Sequence, residues 1–312
     1  MSCIDVNHLS KSYGLINAVN DLTLSVKEGQ VFGFLGPNGA GKSTTIKLLT
    51  TLIKPSSGSL SIFGIDAISN PLKIRDKIGV VLQQPSYEPT LSVEKALDKY
   101  GMMWNISKTE RKKRLEQLLK DFNLVEIRKK RNEDLSIGQR RRVQVAREFM
   151  HDMKLLFLDE PTVGLDPEAR RKLLDYLKNK VKTGLTIFYT THILSEAEYL
   201  CDEIAIIDKG KILTVDSPDA LKNRFGKEKT IKIHLLEKQS NISTFLSGIS
   251  DCTINFETGT NIIINSEQSE LVLLQVLKIL NENNIEIEDL SAVPTNLEDI
   301  FLKMVKENTS NN

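Results

Sequence analysis

Residues 36–44 read Gly36-Pro37-Asn38-Gly39-Ala40-Gly41-Lys42-Ser43-Thr44, a GxxxxGK[ST] run whose reading decides the fold around it. Glycines at these spacings let backbone N–H groups turn inward around an anion, and a helix beginning next to them adds the positive end of its dipole. Lys42 is then placed to reach terminal phosphates and Ser43 to ligate Mg²⁺. The flanks agree. Residues 31–35 (VFGFL) form an apolar run of strand length, and Ile46, Leu49, Leu52 and Ile53 recur at helical spacing until Pro55 stops them.

Further out, residues 78–82 (IGVVL), 155–158 (LLFL), 186–190 (TIFYT) and 203–208 (EIAIID) are strand-length apolar runs. Such runs mark buried strands of a mainly parallel sheet covered on both faces. From about 88 to 150 the sequence is long, charged and helix-prone, and is expected to form a helical subdomain inserted in an α/β core. Charge marks the end of that core: residues 222–312 hold 9 basic and 13 acidic side chains, a net of −4, which leaves +5 for residues 1–221. We therefore expect a first domain over 1–220 and an accessory domain over 225–307. In the second, 229–236 alternates like a strand, 241–249 looks helical, CTINF and NIIIN flank a turn, and QSELVLLQVLKIL reads as a helix before the strand IEIEDLSAV. Thr295 and Glu298 make a capping box for a last helix with Leu297, Phe301, Met304 and Val305 on one side. The order βαββαβ is ferredoxin-like, and the polar end 306–312 is expected to fray.

Composition narrows the function classes. The chain has 312 residues, 40% hydrophobic and 27% charged, which fits neither a disordered polymer nor an integral membrane protein. No stretch approaches the ~20 apolar residues that span a bilayer, and the first residues show no secretion signal, so a soluble chain inside the cell is expected. Cys3, Cys201 and Cys252 are odd in number, far apart and never in a CxxC pair, which argues against a disulfide framework or a thiolate zinc site. A net charge of +1 lacks the basic excess of a dedicated nucleic-acid binder, and no nucleic acid is expected.

Residues 155–160 (LLFLDE) deliver Asp159 and Glu160 at the end of an apolar strand, where ligands sit in open α/β sheets. Asp159 is placed to hold the Mg²⁺ hydration shell, and Glu160 to orient or deprotonate an attacking water. Residues 135–139 (LSIGQ) open a helix with Ser136 and Gln139 as a capping box; with Gly138 and the basic run Arg140–Arg142 the same helix start is also an anion site.

These motifs stand in one order: GPNGAGKST, Gln83 after IGVVL, LSIGQ, LLFLDEP, GLDP with Asp166, and His192 after a strand. In that order they resemble the ATP-binding subunit of an ABC transporter across about residues 2–220. The resemblance implies a P-loop NTPase (RecA-like) core of the ABC ATPase type with an inserted helical subdomain, beside the small α+β domain. It implies ATP and Mg²⁺ as cofactors and two ATP-binding subunits, identical or not, packed head to tail. Each nucleotide then lies between one phosphate loop and the partner's Ser136, Gly138 and Gln139. Tyr13 is implied to stack on adenine, Gln83 to reach Mg²⁺ and the attacking water, His192 to contact the γ-phosphate, and Asp166 to couple the two sites. Ile137 departs from the family's usual glycine; with Ser136 and Gly138 kept, binding is expected to survive with altered packing. Residues 296–304 (NLEDIFLKM) resemble the end of daunorubicin-resistance-type subunits, which serve exporters. A separate transmembrane permease subunit is implied, holding this chain peripherally on the inner face of the cell membrane. The rivals are a soluble ABC-type ATPase acting on nucleic acid or ribosomes and a metabolic kinase. The first lacks long heptad arms or a second phosphate loop here, and the second would make LSIGQ an accident.

Overall fold

The computed structural model describes residues 2–84, 86–225, 229–239, 241–257, 259–294 and 297–310. The chain divides into two compact units, Met1–Ser217 and Pro218–Asn312.

The first unit starts with β1 (Ser2–Tyr13) and β2 (Ile16–Lys27), which pair antiparallel, followed by β3 (Val31–Leu35) and α1 (Lys42–Leu49). Next come β4 (Ser57–Ile62), β5 (Ile65–Asp66), α2 (Pro71–Arg75) and β6 (Ile78–Val81). Three helices follow: α3 (Val93–Met103), α4 (Lys108–Asp121) and α5 (Ile137–Glu148). Each is started by a serine, Ser92, Ser107 or Ser136, whose hydroxyl accepts a hydrogen bond from the amide three residues on. The unit closes with β7 (Leu155–Asp159), α6 (Pro167–Lys182), β8 (Thr186–Thr191), α7 (Leu194–Leu200), β9 (Glu203–Asp208) and β10 (Lys211–Asp216).

Two sheets result. One has six strands in the order β10-β9-β3-β8-β7-β6, parallel except for the β9–β10 hairpin. All residues of β3, β7 and β8 are buried, as the uninterrupted apolar runs require. The other is antiparallel, in the order β2-β1-β4-β5. Between them Phe188 packs against Phe32, Phe34 and Phe157 with ring centroids 5.4–5.6 Å apart, in one core with Ile46, Leu48 and Leu49 of α1. The parallel strands all point their C-terminal ends to the same edge, and the phosphate loop and the Asp159–Glu160 pair emerge there together.

The antiparallel sheet has no counterpart in the sequence reading. The register of β1 against β2 shifts at four places, so the two-residue alternation that identifies a strand is broken. A second difference concerns α1, which ends at Leu49, not near Pro55: Thr51 takes a left-handed conformation (φ 60°) and Leu52 is exposed.

The second unit begins with α8 (Pro218–Phe225), a helix that spans the boundary expected between residues 220 and 225. It continues with β11 (Lys229–Leu235), α9 (Ile242–Leu246), β12 (Thr253–Glu257), β13 (Asn261–Ser266), α10 (Ser269–Glu282), β14 (Ile287–Pro294) and α11 (Leu297–Ser310). The four strands pair antiparallel in the order β12-β13-β11-β14. One face packs Ile231, Ile233, Ile262 and Ile264 against Leu246 of α9 and Val272, Val276 and Leu280 of α10. Thr295 of the expected capping box lies outside the described residues. The stretch expected to fray continues α11 as far as Ser310.

Candidate functional site

The phosphate loop joins β3 to α1, and its glycines are there for stereochemical reasons. Gly41 has φ 104° and a Cβ on it would sit 2.4 Å from the Ala18 carbonyl oxygen; one on Gly36 would sit 2.4 Å from the Ile207 carbonyl oxygen. Both contacts are closer than any side chain tolerates, and the left-handed conformation of Gly41 further favours glycine. Lys42 is only 6% exposed, and its ammonium donates to the carbonyls of Gly36 (2.7 Å) and Pro37 (3.1 Å). Burial lowers its pKa, opposed by the nearby Glu160 and Asp159 carboxylates. The loop's backbone amides and the single ammonium of Lys42 make a donor-rich cradle suited to phosphate.

Opposite lies the end of β7. Asp159, 2% exposed, accepts a 2.6 Å hydrogen bond from Thr190 Oγ1 on the adjacent strand β8. Glu160 takes φ 48°, and its amide donates to the Thr190 carbonyl at 3.1 Å. That turn sets the Glu160 carboxylate 3.8 Å from the Lys42 ammonium, 3.2 Å from the Gln83 side-chain amide and 3.2 Å from His192 Nδ1. Lys42, Gln83, Asp159, Glu160 and His192, far apart in sequence, thus meet at the C-terminal edge of the parallel sheet. Ser43 at the start of α1 and the Asp159 carboxylate are hard oxygen donors, the chemistry Mg²⁺ selects, and the buried position of Asp159 fits that use.

The other expected site residues stand apart from this cluster. Tyr13 is 50% exposed at the end of the β1–β2 hairpin, with the Lys11 ammonium 5.3 Å from its ring centre, on the hairpin whose Ala18 carbonyl abuts Gly41. Ser136 and Gln139 form a reciprocal capping box at the start of α5, Ser136 Oγ accepting from the Gln139 amide and Gln139 Oε1 from the Ser136 amide. Gly138 lies against the turn before α6: a Cβ there would meet the Gly164 carbonyl oxygen at 2.5 Å. Ile137 is 67% exposed and leans over Gly164, whose missing side chain leaves room for it. Asp166 caps α6 by accepting from the Ala169 amide (2.9 Å), the contact that lowers its pKa. Among the described residues no hydrogen bond or ion pair joins Ser136, Gly138, Gln139 or Asp166 to the phosphate loop.

The basic run Arg140–Arg142 does not serve as expected. Arg140 donates to the Leu135 carbonyl and the Tyr87 hydroxyl, Arg142 to the carbonyls of Phe122 and Asn123, and Arg141 is buried beneath the Asp159–Glu160 turn. The sequence reading also passed over Glu196 of α7. Buried, it accepts from the hydroxyls of Thr162, Tyr189 and Thr191 at 2.7–3.0 Å and so fixes the chain just after Glu160 and just before His192.

A phosphate loop, an acidic pair two strands away at the same edge of the sheet and a capped helix standing off from both define an α/β nucleotide-hydrolysing protein of the P-loop class. A family model for ABC transporters matches residues 19–163, and a second model, of an AAA domain, matches residues 131–197. The chain is 34% identical to the linearmycin resistance ATP-binding protein LnrL of Bacillus subtilis over 96% of its own length and 97% of that protein. It is 34% identical to the doxorubicin resistance ATP-binding protein DrrA of Mycobacterium tuberculosis over 97% of its length and 94% of the relative. A solved ATP-binding subunit of an ABC transporter matches with a TM-score of 0.67 and 32% identity over 72% of this chain and 93% of that one. The cassette MJ0796, solved as a dimer in a post-hydrolysis state bound to ADP and Pi, matches with a TM-score of 0.64 and 28% identity over 69% and 98%. The chain belongs to the ABC transporter family, as its ATP-binding, ATP-hydrolysing subunit.

Proposed function

We propose that this subunit powers export of a drug-like or lipid-like small molecule, working as one of a pair of cassettes docked on a separate permease at the inner face of the membrane. The observation that carries the paired mechanism is the separation just described. Lys42, Gln83, Glu160 and His192 converge on one point, whereas Ser136 and Gly138, on a helix start suited to an anion, have no contact with that point. A second copy turned head to tail brings its helix start to the phosphates held by the first. Export is supported by the resistance proteins that the chain resembles over nearly its whole length. A separate permease is supported by the lack, among the described residues, of any helix long and apolar enough to cross a membrane.

In this reading the loop amides and Lys42 bind the β- and γ-phosphates, Tyr13 stacks on adenine, and Ser43, Asp159 and Gln83 would hold Mg²⁺. When bound, Mg²⁺ supplies charge neutralisation on the phosphate oxygens. Glu160 accepts the proton of the attacking water, and His192 and Gln83 hold the γ-phosphate and that water in line with the leaving group. The partner's Ser136, Gly138 and Gln139 close the site, and Asp166 connects the two sites. Hydrolysis splits ATP into ADP and phosphate, departure of the phosphate removes the anion that both faces share, and the pair opens. Residues 218–312 form an accessory domain of ferredoxin-like type, supported by the order βαββαβ and the strand sequence β12-β13-β11-β14.

The test is Glu160→Gln in the full chain. With saturating Mg-ATP it should elute as a stable dimer on size exclusion, and Ser136→Arg added to it should return the monomer while nucleotide binding persists. A Glu160→Gln protein that stays monomeric under those conditions counts decisively against paired action.

A further inference from the structure

Arg141 lies in α5, the helix whose first residues are Ser136 and Gly138, yet its guanidinium is buried, 4% exposed. It donates from Nη2 to the carbonyls of Asp159 (3.0 Å) and Glu160 (2.7 Å), and from Nη1 to the carbonyl of Leu82 (2.7 Å) and to Gln144 Oε1 (3.3 Å). No carboxylate of a described residue lies within ion-pair distance of it. Burying a cation on neutral oxygens is costly, and burial depresses its affinity for the proton. A helix packed on a core would be better served there by an aliphatic side chain, so the arginine calls for a reason.

The geometry supplies one. Leu82 immediately precedes Gln83, and Gln83 is the residue whose amide donates to the Glu160 carboxylate at 3.2 Å. Arg141 therefore pins the backbone on both sides of that hydrogen bond. It also ties down the carbonyl of Glu160, which sits in a left-handed conformation (φ 48°) that is strained for a non-glycine residue and persists only where its surroundings over-determine it. Two more arginines of α5 hold the far end of the same segment. Arg147 donates to Ser86 O and Ser86 Oγ, both at 2.6 Å, and Arg140 donates to the Tyr87 hydroxyl at 2.9 Å.

We propose that Arg141 is a positioning residue for ATP hydrolysis, holding Glu160 and Gln83 in mutual register and making that register depend on the helix that presents Ser136 and Gly138. The proposal rests on the assignment of Glu160 as the proton acceptor. Arg141 acts through the reacting groups without touching nucleotide. Its loss leaves the phosphate cradle of Lys42 and the loop amides intact, so binding and turnover separate. A displacement of about 1 Å of a general base costs on the order of 100-fold in rate.

The experiment compares Arg141→Met, Arg141→Lys, Glu160→Gln and the double variant Arg141→Met/Glu160→Gln in the full chain, by steady-state ATPase assay and titration with a fluorescent ATP analogue. Arg141→Met is expected to lower kcat about 30–100-fold with the affinity for nucleotide changed less than about threefold. Arg141→Lys, with a single ammonium in place of the fork, should fall between it and the wild type. In the Glu160→Gln background the further loss should be under about threefold, because a residue acting through Glu160 has nothing left to position. A wild-type kcat in Arg141→Met, or a full multiplicative loss in the double variant, overturns the proposal. If Arg141→Met binds no nucleotide, Arg141→Lys decides: unchanged kcat, or loss of binding and turnover in parallel, overturns it. Full turnover in Glu160→Gln overturns the underlying assignment and this proposal with it, whereas turnover lost there and kept in Arg141→Met overturns this proposal alone.

Discussion

The Lys42 ammonium stands 3.8 Å from the Glu160 carboxylate while it donates hydrogen bonds to Gly36 and Pro37. The cation proposed to reach phosphate is thus held ready, almost out of water, by the loop it belongs to. In a bond to phosphate both partners are charged, so it exceeds the ammonium–carbonyl bonds it replaces. Lys42→Met should weaken ATP binding about 10-fold or more, the affinity equivalent of losing one hydrogen bond to a charged group at about 1.5–3 kcal/mol, and leave the fold intact. Titration with a fluorescent nucleotide checks it; affinity within a factor of two of wild type would remove Lys42 from the cradle.

Thr190 orients Asp159 through its 2.6 Å hydrogen bond and touches no other group of the cluster through its hydroxyl except the Leu158 carbonyl, at 3.5 Å, and the Glu160 amide, at 3.2 Å. Groups that orient a metal's ligands typically affect metal affinity 10–100-fold. Thr190→Val should raise the Mg²⁺ concentration for half-maximal ATPase activity about 10-fold and change activity at saturating Mg²⁺ much less. An unchanged Mg²⁺ profile would dissociate Asp159 from the metal.

Gly41 combines φ 104° with a Cβ position 2.4 Å from the Ala18 carbonyl oxygen. The conformational strain alone is about 1–3 kcal/mol, and the clash forces loop and hairpin apart. Gly41→Ala should therefore lose nucleotide binding and lower Tm. The comparison is Gly39→Ala: at φ 82° it carries strain, but no atom lies within 4 Å of its Cβ. Calorimetry should find Gly41→Ala the more damaging, and equal effects would put the damage in conformation alone.

Glu148 is buried in α5 and accepts from Tyr100 OH (2.8 Å), the Val80 amide (3.2 Å) and Arg147 Nε (3.2 Å). Burial is the largest influence and raises its pKa above the ordinary 4.5, against the lowering effect of Arg147, Tyr100 and Val80. The folded chain therefore binds a proton here more tightly than the unfolded chain does, and this site's contribution to stability is present at low pH and lost as pH rises through the raised value. The side-chain amide introduced by Glu148→Gln does not titrate, so the Tm of wild type minus that of the variant should be largest near pH 4.5 and shrink toward neutrality. Scanning calorimetry across that range checks the slope, and a difference independent of pH would contradict it.

Much of the site was legible because its signals are local. The phosphate loop is nine consecutive residues, and β3, β6, β7, β8 and β9 announce themselves as apolar runs that only a doubly covered sheet explains. Those cues also placed Asp159 and Glu160 at a strand end. The antiparallel sheet was hidden by the register shifts of β1, which no count of alternating residues detects. Arg141 was hidden for another reason: among Arg140, Arg141 and Arg142 it looks like one more charge on a wet helix. Its signal is a face, since Arg141, Gln144, Val145 and Glu148 recur at helical spacing and all are buried. Polar residues at core positions mean a network, and which network depends on partners such as Leu82 and Asp159, 59 and 18 residues away at the ends of two different strands. The reach of Gln83 and His192 to Glu160 is likewise a product of strand order, which the motifs imply only through family likeness.

Ser136 and Gln139 close the first turn of α5 on each other, which leaves the amides of Ile137 and Gly138, without partners inside the helix, as its open donors. That edge therefore has its final form in a single molecule. In the paired arrangement proposed above, encounter between copies is a matter of rigid docking, paced by diffusion and by the negative charge of the nucleotide, with no disordered edge to be assembled at the moment of contact.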